Sequence, residues 1–265
     1  VTLSLIVTTY NRPDALELVL ESALAQSRQP DEIVVADDGS GEETRRVVER
    51  AAKTGEVPIR HAWQEDRGFR AAMSRNRAVA MSGGEYIVMV DGDMVLHPDF
   101  IADHLAAAER GLFIQGGRVL LDERATREAI EAKRIRFGLF SPGLLNRKNS
   151  LRSPLLSSLF STQSLSLTGV KSCNFALFRD DLVAVNGFDN RFVGWGREDS
   201  EFAARLLHAG MVRKNLKFAA VAYHLYHPES PRASLPENDR RLRETVETKR
   251  IRCDDGIDRF FKESP

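Results

Sequence analysis

The sequence predicts an α/β chain built on a mostly parallel central sheet. Two observations carry this. From residue 3 to about 121, apolar runs of strand length alternate with segments of helical periodicity. Two of those runs also end in acidic turns, Asp37-Asp38-Gly39-Ser40 and Asp91-Gly92-Asp93. Parallel strand–helix–strand units with right-handed crossovers bring both turns to one edge of the sheet.

Leu3-Ser4-Leu5-Ile6-Val7-Thr8-Thr9 is β-branched and apolar, a buried strand entering a turn at Tyr10-Asn11. Pro13 suits a first helical turn, and Leu16, Val19, Leu20, Ala23 and Leu24 mark one helical face. Glu32 to Ala36 is a second buried strand. Ser40 and Glu43 have the spacing of a capping box, which predicts a helix from there to about Lys53. The loop at Arg67-Gly68 feeds a helix with Phe69, Ala72, Met73, Asn76 and Ala80 on one side. The strand 85–90 then delivers Asp91 and Asp93 beyond its carboxyl end, where open α/β sheets bind ligands. Carboxylates placed there are hard oxygen ligands suited to Mg²⁺ or Mn²⁺, and such a cation neutralises a diphosphate. The competing reading is an Asp-Gly turn with solvated carboxylates.

Pro98 opens a helix carrying Phe100, Ile101, His104, Leu105 and Ala108, on which His104 reads as a core or interfacial histidine. Leu112 to Leu121 is extended, and Glu123 to Arg136 is a charged helix. Residues 137–170 lack pattern and carry Arg147, Lys148 and Arg152, with Lys171 just after. A loop of that length is functional or mobile, and an acceptor lid is the first reading, ahead of a membrane-facing surface or disorder. Ser172 to Phe178 resembles a strand, with a short helix ending near Asn186-Gly187. Gly194-Trp195-Gly196-Arg197-Glu198-Asp199 opens a helix that runs to His208 and stops at Gly210. Glu198 and Asp199 would serve as simple dipole partners there. The preceding Gly-Trp-Gly, costly in conformational entropy and exposing a large ring, exceeds what a cap requires. Phe218 to Tyr223 is a further strand ending at His224-Leu225-Tyr226-His227-Pro228, and 237–252 is a charged helix with a solvated face.

Composition narrows the function classes. Lys plus Arg equals Asp plus Glu, 38 each over 265 residues, so no global charge argues for nucleic acid. The two cysteines, Cys173 and Cys253, have no metal-ligand spacing and fit a reducing, cytoplasmic compartment. No apolar run approaches the roughly 20 residues of a membrane span, and no signal-peptide pattern opens the chain. Its start at Val1 rather than Met points to trimming or a missing segment, so an anchor ahead of it is left open.

Taken together, Val7-Thr8-Thr9-Tyr10-Asn11, Ala36-Asp37-Asp38-Gly39-Ser40, Ser74-Arg75-Asn76 and Asp91-Gly92-Asp93 resemble a family-2 glycosyltransferase of the GT-A fold. Cys173-Asn174, Asn186-Gly187-Phe188-Asp189 and Gly194-Trp195-Gly196-Arg197-Glu198-Asp199 are similar to the galactosyltransferase-like C-terminal segment. That segment occurs in β-1,4-galactosyltransferases and chondroitin-polymerase-type enzymes. The resemblance covers residues 3–121 and 172–228. It implies a nucleotide-sugar-binding part at 1–121, an acceptor-binding and catalytic part of the same domain at 122–228, and a helical tail at 229–265. It also implies that Thr8 and Tyr10 line the base pocket, that Asp38 accepts from a uracil N3–H, and that Arg75 lies near the nucleotide. Gly92, Asn174 and Trp195 join the donor and sugar site. Asp93 holds Mn²⁺ or Mg²⁺, Asp91 meets the ribose or the metal through water, and His224 is the distal metal ligand, with His227 as its alternative. Asp199 is the implied base of an inverting transfer, and Glu198 holds sugar hydroxyls.

Arg197 departs from the pattern, standing where the galactosyltransferases have Gly; it is expected to narrow the site or add a charge. The partners implied are a UDP-sugar and a glycan or glycolipid acceptor of surface polysaccharide or lipopolysaccharide synthesis, with peripheral contact at the inner face of a membrane. The rival classes are a nucleotidyltransferase, which would carry a Gly-rich phosphate loop where Thr8-Thr9-Tyr10-Asn11 stands, and a catalytically silent carbohydrate-binding protein.

Overall fold

The computed structural model describes residues 1–55, 57–228 and 231–261. The alternation read from the sequence is there: β1 (Leu3–Thr9), α1 (Pro13–Leu24), β2 (Glu32–Asp37), α2 (Glu42–Thr54), β3 (Ile59–Trp63), α3 (Ala71–Met81) and β4 (Tyr86–Asp91). There follow β5 (Met94–Leu96), α4 (Phe100–Ala107), β6 (Leu112–Gln115), β7 (Val119–Leu120) and α5 (Glu123–Glu131). Next come α6 (Pro154–Phe160), β8 (Thr162–Ser164), β9 (Asn174–Phe178), α7 (Arg179–Ala184) and α8 (Glu198–His208). The chain then forms β10 (Val212–Asn215), β11 (Ala222–His224), α9 (Leu235–Glu247) and α10 (Asp258–Phe261).

Eight strands form one sheet in the order β3-β2-β1-β4-β9-β6-β10-β8, parallel except that β9 and β8 run against their neighbours. Both faces are covered, as a parallel sheet requires. Leu5, Val7, Val35 and Val88 belong to one core cluster with Leu16, Val19 and Leu20 of α1. Ile6, Val34, Ile87 and Met89, one residue out of phase, belong to another with Val79 of α3 and Phe202 of α8. The register sets Thr8 opposite Asp91 and Thr9 opposite Asp37, so the acidic turns emerge side by side.

A second sheet, β5-β11-β7, was not anticipated, and it does most to build the site. β11 lies antiparallel to β5 and parallel to β7, placing His224 opposite Met94 and Leu120. The backbone N–H of Leu225 donates to the Asp93 carbonyl at 2.9 Å, closing the ladder beside Asp93.

Several boundaries differ from expectation for identifiable reasons. Ser40 does not cap α2. Its hydroxyl accepts the Asn11 N–H (2.8 Å), and Gly41 stands at the cap position with no side-chain cap bond. Phe69 precedes α3, which starts at Ala71, and the helix after 123 ends at Glu131. The extended run 112–121 divides between the two sheets. Phe218 and Ala220 have left-handed backbones (φ 57° and 47°), so the strand expected at 218–223 begins only at Ala222. Residues 137–170 are not patternless, holding a 3-10 turn at 147–150, then α6 and β8. The tail helix spans 235–247, and its face is not simply solvated. Thr245 Oγ1 donates to Glu201 Oε1 (3.0 Å), whose carboxylate forms a fully buried ion pair with Arg205 of the same helix. Of the segment 229–265, residues 229–230 and 262–265 lie outside the described residues. Among the described residues no helix is long and apolar enough to cross a membrane.

Candidate active site

Beyond the carboxyl ends of β1, β2 and β4 opens a cleft of about 1260 Å³. Arg75 of α3 crosses its floor, its side chain 5% exposed. Nε donates to Thr8 Oγ1 (3.2 Å), Nη2 to Asp91 Oδ1 (3.2 Å) and Nη1 to Glu198 Oε1 (3.3 Å). One planar guanidinium therefore ties β1, β4 and α8 together, a fork geometry that lysine cannot reproduce. Phe188 lies beneath it, 5.4 Å from the guanidinium carbon to the ring centre. Asn76, the next residue, points the other way. Its amide donates to the Phe188 carbonyl and Asn190 Oδ1, and its Oδ1 accepts from Phe188 N–H, fixing the turn that leads to α8.

Asp93 meets the two histidines of the second sheet. His224 Nε2 lies 3.7 Å from its Oδ1, and His227 Nε2 lies 3.3 Å from its Oδ2. Among the described residues these three are the group whose donor atoms converge closely enough to hold a metal, all within 4.8 Å of one another. Asp91 is not part of it, because its carboxylate is turned to Arg75. Both His224 and His227, the two expected alternatives, face Asp93. Burial, and then repulsion from Asp91, push the Asp93 carboxyl up to about 7. Burial, with Arg118 nearby, pushes His224 down to about 3, so its imidazole is neutral.

The chemistry of this donor set fits a divalent cation. His227 Nδ1 donates to the Pro228 carbonyl at 2.7 Å, which holds the ring with its Nε2 turned to Asp93 Oδ2. Asp93 Oδ1 is buried without a hydrogen bond. One carboxylate and two imidazole nitrogens converging at this distance suit a shared divalent cation, and the nitrogen share favours Mn²⁺ over Mg²⁺. Gly92 lets this turn close on β1. A side chain there would start 3.0 Å from the Thr8 carbonyl, to which Gly92 N–H already donates at 2.6 Å.

On the other wall, α8 begins at Glu198, preceded by Arg197 in the left-handed region (φ 76°). Gly194 also has positive φ (79°), and a Cβ on it would collide with Ser234 Oγ at 2.1 Å, so this loop is pressed against the segment entering α9. Asn238 of α9 donates to the Gly196 carbonyl (2.9 Å). Arg197 is turned out of the cleft to Asp239 (2.5 Å), contrary to the expectation that it narrows the site. Its left-handed backbone aims the side chain at α9. Among the described residues Asp199 takes only the Ser200 N–H (2.7 Å) and hydroxyl (3.3 Å). Burial and the neighbouring Glu198 raise it to about 7, against the pull of Arg75.

Thr8, Tyr10, Asp38 and Trp195 all line the cleft. Tyr10 is half exposed, and its hydroxyl donates to Asp66 Oδ2 (2.9 Å). Asp38 accepts from Gln64 Nε2 and the Arg70 N–H, both at 2.6 Å, while burial raises its pKa above the ordinary carboxylate value. Asn174, like Arg197, does not reach the cleft. It is fully buried, and its amide donates to the carbonyls of Gly117 and Ala220 (2.8 and 2.9 Å). Its Oδ1 accepts from His104 Nε2 (2.9 Å), so both ends are consumed in joining β9 to the second sheet and α4. His104, pushed down to about 4 by burial, is a core histidine, as read. Cleft residues that sequence reasoning missed include Arg12, Arg118, Lys171 and Arg232. Arg118 and Lys171 flank short strands with no detectable period, and no local signal marks them.

The family model described as glycosyl transferase family 2 matches residues 4–183, and that described as N-terminal domain of galactosyltransferase matches residues 159–228. The chain is 27% identical over 245 residues to hyaluronan synthase of Pasteurella multocida, covering 85% of this chain and 25% of that one. It is 26% identical over 266 residues to chondroitin synthase of Pasteurella multocida (strain Pm70), covering 94% and 27%. To validoxylamine A glucosyltransferase of Streptomyces hygroscopicus subsp. limoneus it is 27% identical over 219 residues, covering 77% and 47%. It thus spans a quarter to a half of these relatives' length. The solved structure of S. aureus TarS 1-349 in complex with UDP-GlcNAc aligns over 99% of this chain and 71% of that one, with TM-score 0.62 and 18% identity, a likeness of fold. The fold is the expected GT-A architecture, and with the larger part of its length inside the first model, the chain belongs to glycosyl transferase family 2.

Proposed function

We propose that this chain is a metal-dependent, inverting glycosyltransferase that moves a sugar from a UDP-sugar to a hydroxyl of a glycan or glycolipid. The observation that supports it best is the meeting, in one cleft, of a carboxylate–imidazole trio and an unpaired carboxylate raised to about 7. Asp93, His224 and His227 would hold the cation. The chemistry supplied by a divalent ion there is Lewis-acid stabilisation of a departing diphosphate. Arg75 holds Asp91 and Glu198 in place. Asp199 Oδ2 takes the proton from the acceptor hydroxyl as it attacks the anomeric carbon. A base whose pKa lies near the working pH is the efficient one. Glu198 Oε2, buried without a partner, is available to a sugar hydroxyl, and Trp195 offers an apolar wall.

Tyr10 stacks on the base, and Asp38 accepts its N3–H, which favours uracil over cytosine. The UDP-GlcNAc bound by TarS and the polysaccharides named in the relatives support a UDP-sugar and glycan synthesis for this chain too. We extend the reading to a two-part site, donor side in 1–121 and acceptor side in 122–228, and to a place on the inner face of a membrane.

The test is slow donor hydrolysis with Mn²⁺ across a panel of UDP-sugars. Hydrolysis of at least one donor, abolished by excess EDTA, is expected. Undiminished turnover in EDTA would overturn the metal assignment, and no hydrolysis of any donor would overturn the activity.

A further inference from the structure

From 132 to 179 the chain has no Asp or Glu and eight Lys or Arg, in a protein whose charges balance over its whole length. The same stretch holds five of the six most exposed large apolar side chains among the described residues: Phe140 (86%), Leu145 (65%), Leu155 (71%), Leu159 (68%) and Leu165 (70%). Leu155 and Leu159 stand one turn apart on the outer face of α6, with half-exposed Phe160 beside them. Just ahead, the 3-10 turn at 147–150 presents exposed Arg147 and Lys148. α6 is not adrift. Ser153 caps it, Ser153 N–H donates to the Phe218 carbonyl (2.8 Å), and Arg152 is forked onto Asp103 of α4 (2.7 Å). The protein thus holds apolar side chains out into water on a fixed mount, beside cations and on a segment with no carboxylate of its own.

We propose that 140–165 is the surface by which this chain lies on an anionic lipid bilayer. Leu155, Leu159 and Phe160 enter the headgroup boundary, while Arg147 and Lys148 meet lipid phosphates. The charge pattern selects this occupant. Exposed apolar side chains alone would suit a protein partner or a second copy, but apolar side chains beside the exposed Arg147 and Lys148, on a segment without a carboxylate of its own, match the negative potential of an anionic leaflet. Leu145 both belongs to this stretch and lines the cleft, so the membrane contact borders the acceptor side. This narrows the proposed acceptor to a lipid-linked one, and to that extent rests on the function proposed above. The binding surface itself does not.

The experiment is co-sedimentation with vesicles of neutral phosphatidylcholine, or of phosphatidylcholine with about 30% phosphatidylglycerol, at low and high salt. Donor hydrolysis is measured in parallel without vesicles. Wild-type protein should bind the anionic vesicles, more weakly as salt rises. Leu155→Glu with Leu159→Glu, and separately Arg147→Glu with Lys148→Glu, should each weaken binding at least tenfold while donor hydrolysis is unchanged. These side chains are already exposed, so the fold has little to lose. Equal binding of both vesicle types, equal binding by wild type and variants, or no binding at all would overturn the proposal. So would conversion of a wild-type dimer to monomer by Leu155→Glu with Leu159→Glu without any vesicle binding. Vesicle binding without donor hydrolysis would uphold the surface and overturn the catalytic reading instead.

Discussion

The end of β4 and the start of α8 each present two acidic residues close together, and the protein treats the members of each pair differently. Asp91 and Glu198 are bound by the same buried guanidinium. Asp93 and Asp199 are not, and burial beside their charged neighbours raises both to about 7. Two pairs from distant parts of the chain are thus divided by one side chain into a carboxylate held by the guanidinium and an adjustable one. Acidic clusters do not by themselves declare which member works. The position of the nearest cation does, because it satisfies one carboxylate and leaves the other exposed to repulsion and desolvation.

The comparison breaks most completely if an adjustable member proves dispensable. Asp93→Ala should remove most donor turnover and Mn²⁺ binding by calorimetry, with circular dichroism unchanged. Graded losses are expected for His224→Ala and His227→Ala, and normal Mn²⁺ affinity in Asp93→Ala would end the metal reading. Next in size, Asp199→Asn should lower kcat about 10²–10⁴-fold with donor affinity kept. Glu198→Gln should instead raise KM. The reverse result would exchange the roles of the two neighbours.

A third effect is read by pH. The base role proposed for Asp199 requires it deprotonated, so kcat should fall about tenfold per pH unit below about 7 and level above it. Stability moves oppositely. With its folded pKa raised above the ordinary value, Asp199 favours folding while protonated, and that contribution is lost as pH rises through about 7. Asp199→Asn should therefore raise Tm at pH 8, by about 2–4 °C for each kcal/mol regained, and leave it unchanged at pH 4. A Tm gain equal at both pH values would refute the shift. The smallest effect belongs to Arg197→Ala, which loses one exposed ion pair worth about 0.2–1 kcal/mol. Its KM values should match wild type, whereas a changed acceptor preference would return Arg197 to the cleft.

The parallel half was legible because β1, β2 and β4 are buried on both faces and so read as unbroken apolar runs. β3 was not, since Arg60, His61 and Trp63 on an edge strand give it no such run. β5, β7 and β11 have two or three residues each, too few to show a period, although they bring His224 and His227 to Asp93. The Asp91–Gly92–Asp93 turn and Asp199 could be picked out as motifs, but the division of labour set by Arg75 is a matter of three-dimensional distance. Asn174 was misplaced for a related reason. It adjoins cleft-lining Cys173, yet it opens β9 with its side chain on the buried face, which spacing alone does not reveal.

The place of β9 in the sheet has a consequence for any attempt to divide the molecule. β4 and β6 do not touch as neighbours; β9, formed more than fifty residues after β6, is threaded between them. A fragment ending at residue 121 would therefore carry two naked strand edges in its middle, the kind of edge that recruits foreign strands. Supplied with the remainder as a separate polypeptide, the same fragment would find its missing centre strand in trans.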